Sequence, residues 1–189
     1  MIVPYTTERR LDTGLTNVTL GMWLFIASEV MLFGALFSAY ALLRVSATDW
    51  PAARQTLNVL IGGINTVVLL QVTASAWRAR SAKPARARQW LLVATIFGVA
   101  FLGLKSWEYS LEFTAGLRPA TNTFLAMYFT LTGLHALHVL AGIGANVWAM
   151  AGAARVGDAM MAGRCRALSL YWVLVDIVWL IIFGLMYLL

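Results

Sequence analysis

Five long apolar stretches leave this chain few ways to fold. A helix needs roughly 20 predominantly apolar residues to cross about 30 Å of hydrocarbon. Five stretches are long enough, at about residues 18–43, 57–77, 89–111, 122–150 and 168–189. The connections between them are too short to hold an extramembrane domain. The sequence therefore predicts an all-α, polytopic membrane protein in which residues 1–189 form a single membrane domain, a bundle of five transmembrane helices.

The composition excludes a soluble domain. Hydrophobic residues make up 61% of the chain and charged residues only 12%, whereas soluble domains carry about 25% charged residues. The net charge of +6 could serve nucleic-acid binding, but the basic residues cluster between the apolar stretches, so we expect no nucleic-acid partner. The single cysteine, Cys165, excludes an internal disulfide and a multi-cysteine metal site. We expect it in a basic loop at 151–167.

The basic residues also predict the orientation of the bundle. One side of the membrane would hold ten of them: Arg9, Arg10, Arg78, Arg80, Lys83, Arg86, Arg88, Arg155, Arg164 and Arg166. The opposite side would hold Arg44, Arg54, Arg118 and, near the outer end of the third stretch, Lys105. Loops rich in Lys and Arg stay in the cytoplasm. We therefore expect the N-terminus inside and the C-terminus outside.

Polar and ionisable side chains lie within the apolar stretches, where a charged group is costly unless it has a partner or faces a cavity. They are Glu29, Asn65, Glu108, His135, His138 and Asp176. At a rise of about 1.5 Å per residue, Glu29, His138 and Asp176 fall at similar depths. We expect His138 and Asp176 to lie on facing helices and to share a hydrogen bond, directly or through water. His135 lies one turn from His138 on the same face, and Glu108 is expected close to water.

Three interpretations of these side chains remain open. His135 and His138, with Glu29 or Asp176, could ligate a metal, although two histidines three residues apart cannot take opposite axial positions of one haem. The carboxylates could relay protons in a transporter, although five helices do not divide into two inverted repeats. The third interpretation, which we favour, is structural: the side chains are satisfied by one another, by lipid headgroups or by a neighbouring subunit.

Several groups of residues together resemble subunit III of the haem–copper terminal oxidases. The groups are Gly21-Met22 and Ser28-Glu29-Val30-Met31 followed by Trp50-Pro51; Glu108-Tyr109; Asn122-Thr123-Phe124 followed by Thr132-Gly133-Leu134-His135-Ala136-Leu137-His138; and Tyr171-Trp172 with Val175-Asp176-Ile177-Val178-Trp179. Each group is weak evidence alone. They occur in four of the five predicted spans, in the order in which the family has them, and the chain is similar to the family's bacterial five-helix form.

The resemblance implies an accessory, non-redox subunit with no catalytic, cofactor-binding or metal-binding residues of its own. In this family, subunit III packs against the catalytic subunit I, in which haem and copper reduce oxygen to water during aerobic respiration. It binds phospholipid and supports the stability and proton uptake of subunit I. Glu29 matches the family's buried carboxylate on the side that faces subunit I, and the polar interior positions are matched by His135, His138, Glu108 and Asp176. The implied location is the bacterial inner membrane.

One position departs from the family's pattern. The family usually has a histidine directly after the Tyr-Trp pair of the last helix, and this chain has Val173. The departure raises an alternative, a homologous accessory subunit associated with nitric oxide reductase. An independent proton-coupled transporter is the remaining alternative.

Overall fold

The computed structural model describes residues 8–48, 50–51, 57–152 and 156–189. Within these ranges the chain forms five long helices: α1 (Asn17–Ser46), α2 (Val59–Ser81), α3 (Pro84–Thr114), α4 (Thr123–Ala151) and α5 (Asp158–Phe183), the last continued by a π-helical turn (Gly184–Leu188). Each of the five is long and apolar enough to cross a membrane. This confirms the predicted all-α fold with five potential spans, whereas the orientation of the termini stays a prediction. Two residues used to predict that orientation, Arg54 and Arg155, lie outside the described residues.

Polar side chains set the starts of three helices. Thr16, Asn58 and Asn122 precede α1, α2 and α4, and the side-chain oxygen of each accepts a hydrogen bond from a backbone N–H two or three residues ahead. The first turn of a helix has no internal acceptors for its N–H groups, so such a cap supplies one. Pro84 begins α3 five residues before the predicted span at 89, because proline has no N–H to satisfy at that position.

The fifth helix begins earlier than the sequence predicts. The segment 151–167 was expected to be a loop, but α5 already starts at Asp158. Cys165 therefore lies inside a helix and is buried, not in a loop. The expectation of a loop at this position was wrong.

The early start of α5 has a packing cause. Met161, Cys165 and Leu168 recur at helical spacing and belong to one buried cluster with residues of α2, α3 and α4. Arg164 and Arg166 lie on the same segment and lower its average hydropathy, so the sequence gives no apolar stretch there. The guanidinium of Arg164 stacks over the ring of Trp148, 4.0 Å from its centre.

The bundle is built around α5. This helix packs against α2, α4 and α1, while α2 packs closely along α3 and α3 along α4. Helix α1 contacts chiefly α5 and is the least buried of the five described helices. The indole nitrogen of Trp179 donates to the hydroxyl of Thr66 at 2.9 Å, and that of Trp172 donates to the side-chain oxygen of Asn146 at 3.2 Å.

Close approach of α4 and α5 requires a glycine at position 142. A Cβ atom added to Gly142 would lie 2.7 Å from the ring of Trp172 and 2.8 Å from that of Tyr171. Small residues at such crossings let helix backbones approach within a membrane. The buried ring of Trp172 thus occupies the space that a side chain at position 142 would need.

We predict that Gly142→Ala destabilises the bundle by about 1–3 kcal/mol, the usual cost of overpacking a core. Gly144→Ala on the same helix is the matched control, because an added Cβ there meets no atom within 4 Å. Thermal unfolding followed by tryptophan fluorescence should show a lower midpoint for the first variant only. Equal midpoints for the two variants would show that the α4–α5 contact is looser than described.

Candidate functional site

The structure brings Glu29 of α1 and His138 of α4 into direct contact. Nε2 of His138 lies 2.8 Å from Oε2 of Glu29, and Nδ1 lies 2.8 Å from the carbonyl oxygen of Leu134. A carbonyl oxygen only accepts, so Nδ1 carries a hydrogen. The remaining proton then lies between Nε2 and the carboxyl, on one group or the other. The pair is electrically neutral in both arrangements, which suits a position inside a membrane span.

This pairing corrects one predicted contact. Glu29 and His138 meet, in agreement with their predicted common depth, but the predicted direct hydrogen bond from His138 to Asp176 is wrong because both ring nitrogens have other partners. Asp176 lies beside Thr73 of α2 instead. Its Oδ1 has no hydrogen-bond partner among the described residues. Depth along a helix did not reveal that Asp176 lies on the face of α5 turned toward α2.

An apolar groove opens beside the Glu29–His138 pair. Its volume is about 470 Å³, and it is lined by Met22, Phe25, Glu29, Leu137, His138, Ala141, Ala145 and Tyr171. The phenol of Tyr171 donates to the backbone carbonyl of His138 at 2.6 Å, and its ring stacks on Phe25. The side chains of Glu29 and His138 keep 13% and 15% of their surface exposed. The pair is therefore reachable from the groove while most of its surface is covered.

A second set of polar side chains, which we call the Lys105 cluster, consists of Lys105, Glu108, Glu112, Tyr128 and Tyr187. Nζ of Lys105 lies 2.9 Å from Oε2 of Glu108 and 2.7 Å from the phenol oxygens of both tyrosines. Tyr187 donates to Oε1 of Glu108 at 2.7 Å. Tyr128 donates to Oε1 of Glu112 at 2.7 Å. The cluster joins α3, α4 and the terminal π-helical turn.

The Lys105 cluster corrects the expected setting of Glu108. The sequence placed Glu108 close to water and counted Lys105 among the charges of the outer side, yet each is only 2% exposed. Tyr128 from α4 and Tyr187 from the terminal turn close over them. A buried ammonium held in an ion pair is not a surface charge, so Lys105 gives no support to the predicted orientation.

Sequence reasoning missed most of the Lys105 cluster, although one signal for it was present. Lys105, Glu108 and Glu112 are spaced three and four residues apart, which puts them on one face of α3. That spacing predicts an ion pair. The two tyrosines come from distant parts of the chain and carried no comparable signal.

His135 and Asn65 are both buried. The ring of His135 lies 5.7 Å from that of Phe101 and 5.1 Å from that of Trp179, centre to centre. Neither ring nitrogen of His135 and neither side-chain polar atom of Asn65 has a hydrogen-bond partner among the described residues. The two histidines, predicted to share one face, therefore have different surroundings. In the described ranges no three His, Cys, Asp or Glu side chains converge as metal ligands would.

Comparison with known proteins points to one family along almost the whole chain. Residues 9–189 match the family model described as cytochrome c oxidase subunit III. The chain is 30% identical to the cytochrome bo(3) ubiquinol oxidase subunit 3 of Pseudomonas aeruginosa, over 91% of this chain and 85% of that protein. It is 32% identical to the cytochrome c oxidase subunit 3 of Thermostichus vulcanus, over 90% and 86%. It is also 32% identical to a heme-copper oxidase subunit I+III of Aeropyrum pernix, over 88% of this chain and 22% of that protein.

We predict that Lys105→Met destabilises the protein by about 3–5 kcal/mol, because it leaves the Glu108 carboxylate buried without its cation. Lys83→Met is the matched control: Lys83 is the other lysine of the chain and is exposed, so its replacement should change stability by less than about 0.5 kcal/mol. Thermal unfolding in one detergent measures both.

The double variant Lys105→Met with Glu108→Gln should recover part of the loss, since it removes the unpaired charge. A double variant no more stable than Lys105→Met alone would show that the ion pair is not the source of the effect.

Proposed function

The chain belongs to the cytochrome c oxidase subunit III family, and we propose that it is the accessory, non-redox third subunit of a haem–copper terminal oxidase. The observation that carries this proposal is the family match over residues 9–189, which takes in all five potential spans. The implied setting is a bacterial inner membrane, where the complex would reduce oxygen to water. This chain would act indirectly, by supporting the stability and the proton uptake of a catalytic partner.

The proposed partner is the catalytic subunit I. One relative is named heme-copper oxidase subunit I+III, so the name of that single protein combines the two subunits. In the present chain, α1 is the least buried described helix and exposes large apolar side chains such as Trp23, Leu24 and Met31. An apolar helix face of this kind suits either lipid or a neighbouring subunit. We assign it to subunit I, with Glu29 on the same helix close to the contact.

The proposed lipid partner is a phospholipid whose acyl chain lies in the groove beside Glu29 and His138. Most of the groove's lining is apolar, from residues such as Met22, Leu137 and Ala141. An acyl chain packs well against such an apolar surface. Lipid from the membrane would enter a groove that opens to the side of the bundle. The bound lipid would seal the polar pair from the rest of the hydrocarbon.

The proposed contribution to proton uptake rests on the Glu29–His138 pair. Its two groups lie within hydrogen-bond distance, at 2.8 Å, and are partly exposed. Carboxylates and histidines inside membrane spans commonly take part in proton relays. We propose that the pair holds a proton slowly exchanging with the surface of subunit I and so keeps the local proton supply steady during turnover.

The two alternative functions have less support. The nitric oxide reductase interpretation rests on Val173 alone, which is a half-buried aliphatic residue on α5, and the relatives described above are named as oxidases. No feature of the described bundle adds support to an independent transporter. The names of the relatives include both quinol and cytochrome c oxidases.

We predict that Glu29→Gln leaves assembly of the complex intact and lowers turnover modestly. The Gln amide can donate to Nε2 of His138, so the contact between α1 and α4 survives while the shared proton is lost. Oxygen consumption of the purified complex and co-purification of its subunits measure the two effects. The control is Glu8→Gln, an exposed position before α1. Complete loss of assembly in Glu29→Gln would contradict the proposed role.

We also predict that the tagged chain, purified in mild detergent, brings with it a larger subunit containing haem and copper. The isolated chain should then show no haem absorption, because the redox centres belong to the partner. Iron or copper bound stoichiometrically to this chain would overturn the proposal. Proton flux into liposomes that contain only this chain would support the transporter instead.

A further inference from the structure

Assigning the hydrogens of the Lys105 cluster leaves one carboxyl oxygen without a partner. The ammonium of Lys105 has three N–H groups, and they point to Glu108, Tyr128 and Tyr187. Tyr187 gives its own hydrogen to the second oxygen of Glu108. Tyr128 gives its hydrogen to Oε1 of Glu112. Oε2 of Glu112 has no hydrogen-bond partner among the described residues.

The charges of the cluster balance only if one carboxyl is neutral. Lys105 and Glu108 form a direct ion pair at 2.9 Å and together carry no net charge. Glu112 forms no ion pair with any residue in the described ranges and is only 6% exposed. Burying a charge without a paired counter-charge is so costly that such a group is neutralised instead. The group to be neutralised here is Glu112, and its free oxygen is the place for the hydrogen.

A small cavity lies beside the same carboxyl. Its volume is about 190 Å³, and it is lined by Asn58, Ile61, Glu108, Leu111, Glu112, Ala115 and Leu117. One water molecule takes up about 30 Å³ in the liquid, so this volume has room for several. The cavity lies between the start of α2 and the end of α3. It offers the carboxyl of Glu112 a route for proton exchange.

We propose that Glu112 is a proton-binding site that exchanges its proton through this cavity. In the protonated state Oε2 carries the hydrogen and Oε1 accepts from Tyr128. On release, the proton passes to water in the cavity, and the carboxylate left behind is stabilised by Tyr128 and by the nearby charge of Lys105. The other titratable groups that face Glu112 are Lys105, Glu108 and Tyr109 of α3, Tyr128 of α4 and Tyr187 of the terminal turn.

This site shares no residue with the Glu29–His138 pair. The start of α2 contributes its cap Asn58 and the helical residue Ile61 to the cavity wall, and neither side chain titrates. The second carboxyl of the cluster, Glu108, has no free oxygen, because one oxygen accepts from the ammonium of Lys105 and the other from Tyr187. The exchangeable proton is therefore assigned to one residue and one atom.

Infrared difference spectroscopy tests the proposal. Spectra of the membrane-embedded protein, recorded between two pH values, should contain a C=O stretch of a protonated carboxyl that disappears as pH rises and shifts in heavy water. Glu112→Gln should abolish this band. The matched control is Asp176→Asn, because Asp176 also has a buried oxygen without a partner; the band should persist in that variant.

A second variant keeps the test decisive if Glu112→Gln fails to fold. Tyr128→Phe removes the hydrogen bond to Oε1, which is the C=O oxygen of the protonated acid. The band should remain in this variant and move to higher frequency, because a C=O group freed from a hydrogen bond vibrates faster. A band that is unchanged in both variants, or that is lost in Asp176→Asn, would overturn the proposal.

Discussion

The ammonium of Lys105, enclosed by three acceptors, is the interaction on which one end of this bundle depends. Hydrocarbon offers no partner for a charge, so a cation inside a membrane span must be satisfied by the protein itself. Its acceptors come from α3, α4 and the turn after α5. Moving any of these elements would leave at least one N–H group buried and unbonded. The cluster thus fixes where the chain's last residues lie, and it orients the rings of Tyr128 and Tyr187 over the helix ends.

Polar contacts also hold the outermost helix. Apolar packing gives little net attraction between helices in lipid, because acyl chains solvate apolar side chains equally well. Helix α1 buries little of its surface, yet it is joined to α4 through Glu29 and His138 at 2.8 Å. Near its end, Tyr40 donates to the carbonyl of Leu185 at 3.0 Å and Arg44 to that of Leu189 at 3.1 Å. A helix attached by a few polar contacts can keep most of its apolar face for a partner.

The two proton-holding sites that we propose differ in character. The Glu29–His138 pair lies at the mouth of an open groove and joins two helices, so its proton is shared between two groups. Glu112 belongs to a buried cluster that joins α3, α4 and the terminal turn, and beside its small cavity it would hold a proton alone. Neither site needs a redox centre to be occupied. This arrangement fits the proposed role of an accessory subunit, which would alter the proton environment of a catalytic neighbour without taking part in electron transfer.

The sequence by itself determined the five apolar helices, the family and some of the buried polar positions, since hydropathy and residue spacing are local properties. It did not determine which of these positions meet. Depth along a helix is one coordinate, and it placed His138 level with both Glu29 and Asp176. The rotation of α5, fixed by burial of Trp172 and Trp179, turns Asp176 away toward α2. The burial of Glu108 was likewise not determined by the sequence, because it depends on Tyr187, 79 residues away along the chain. Pairing between helices depends on how whole faces pack, and only the tertiary structure decided it.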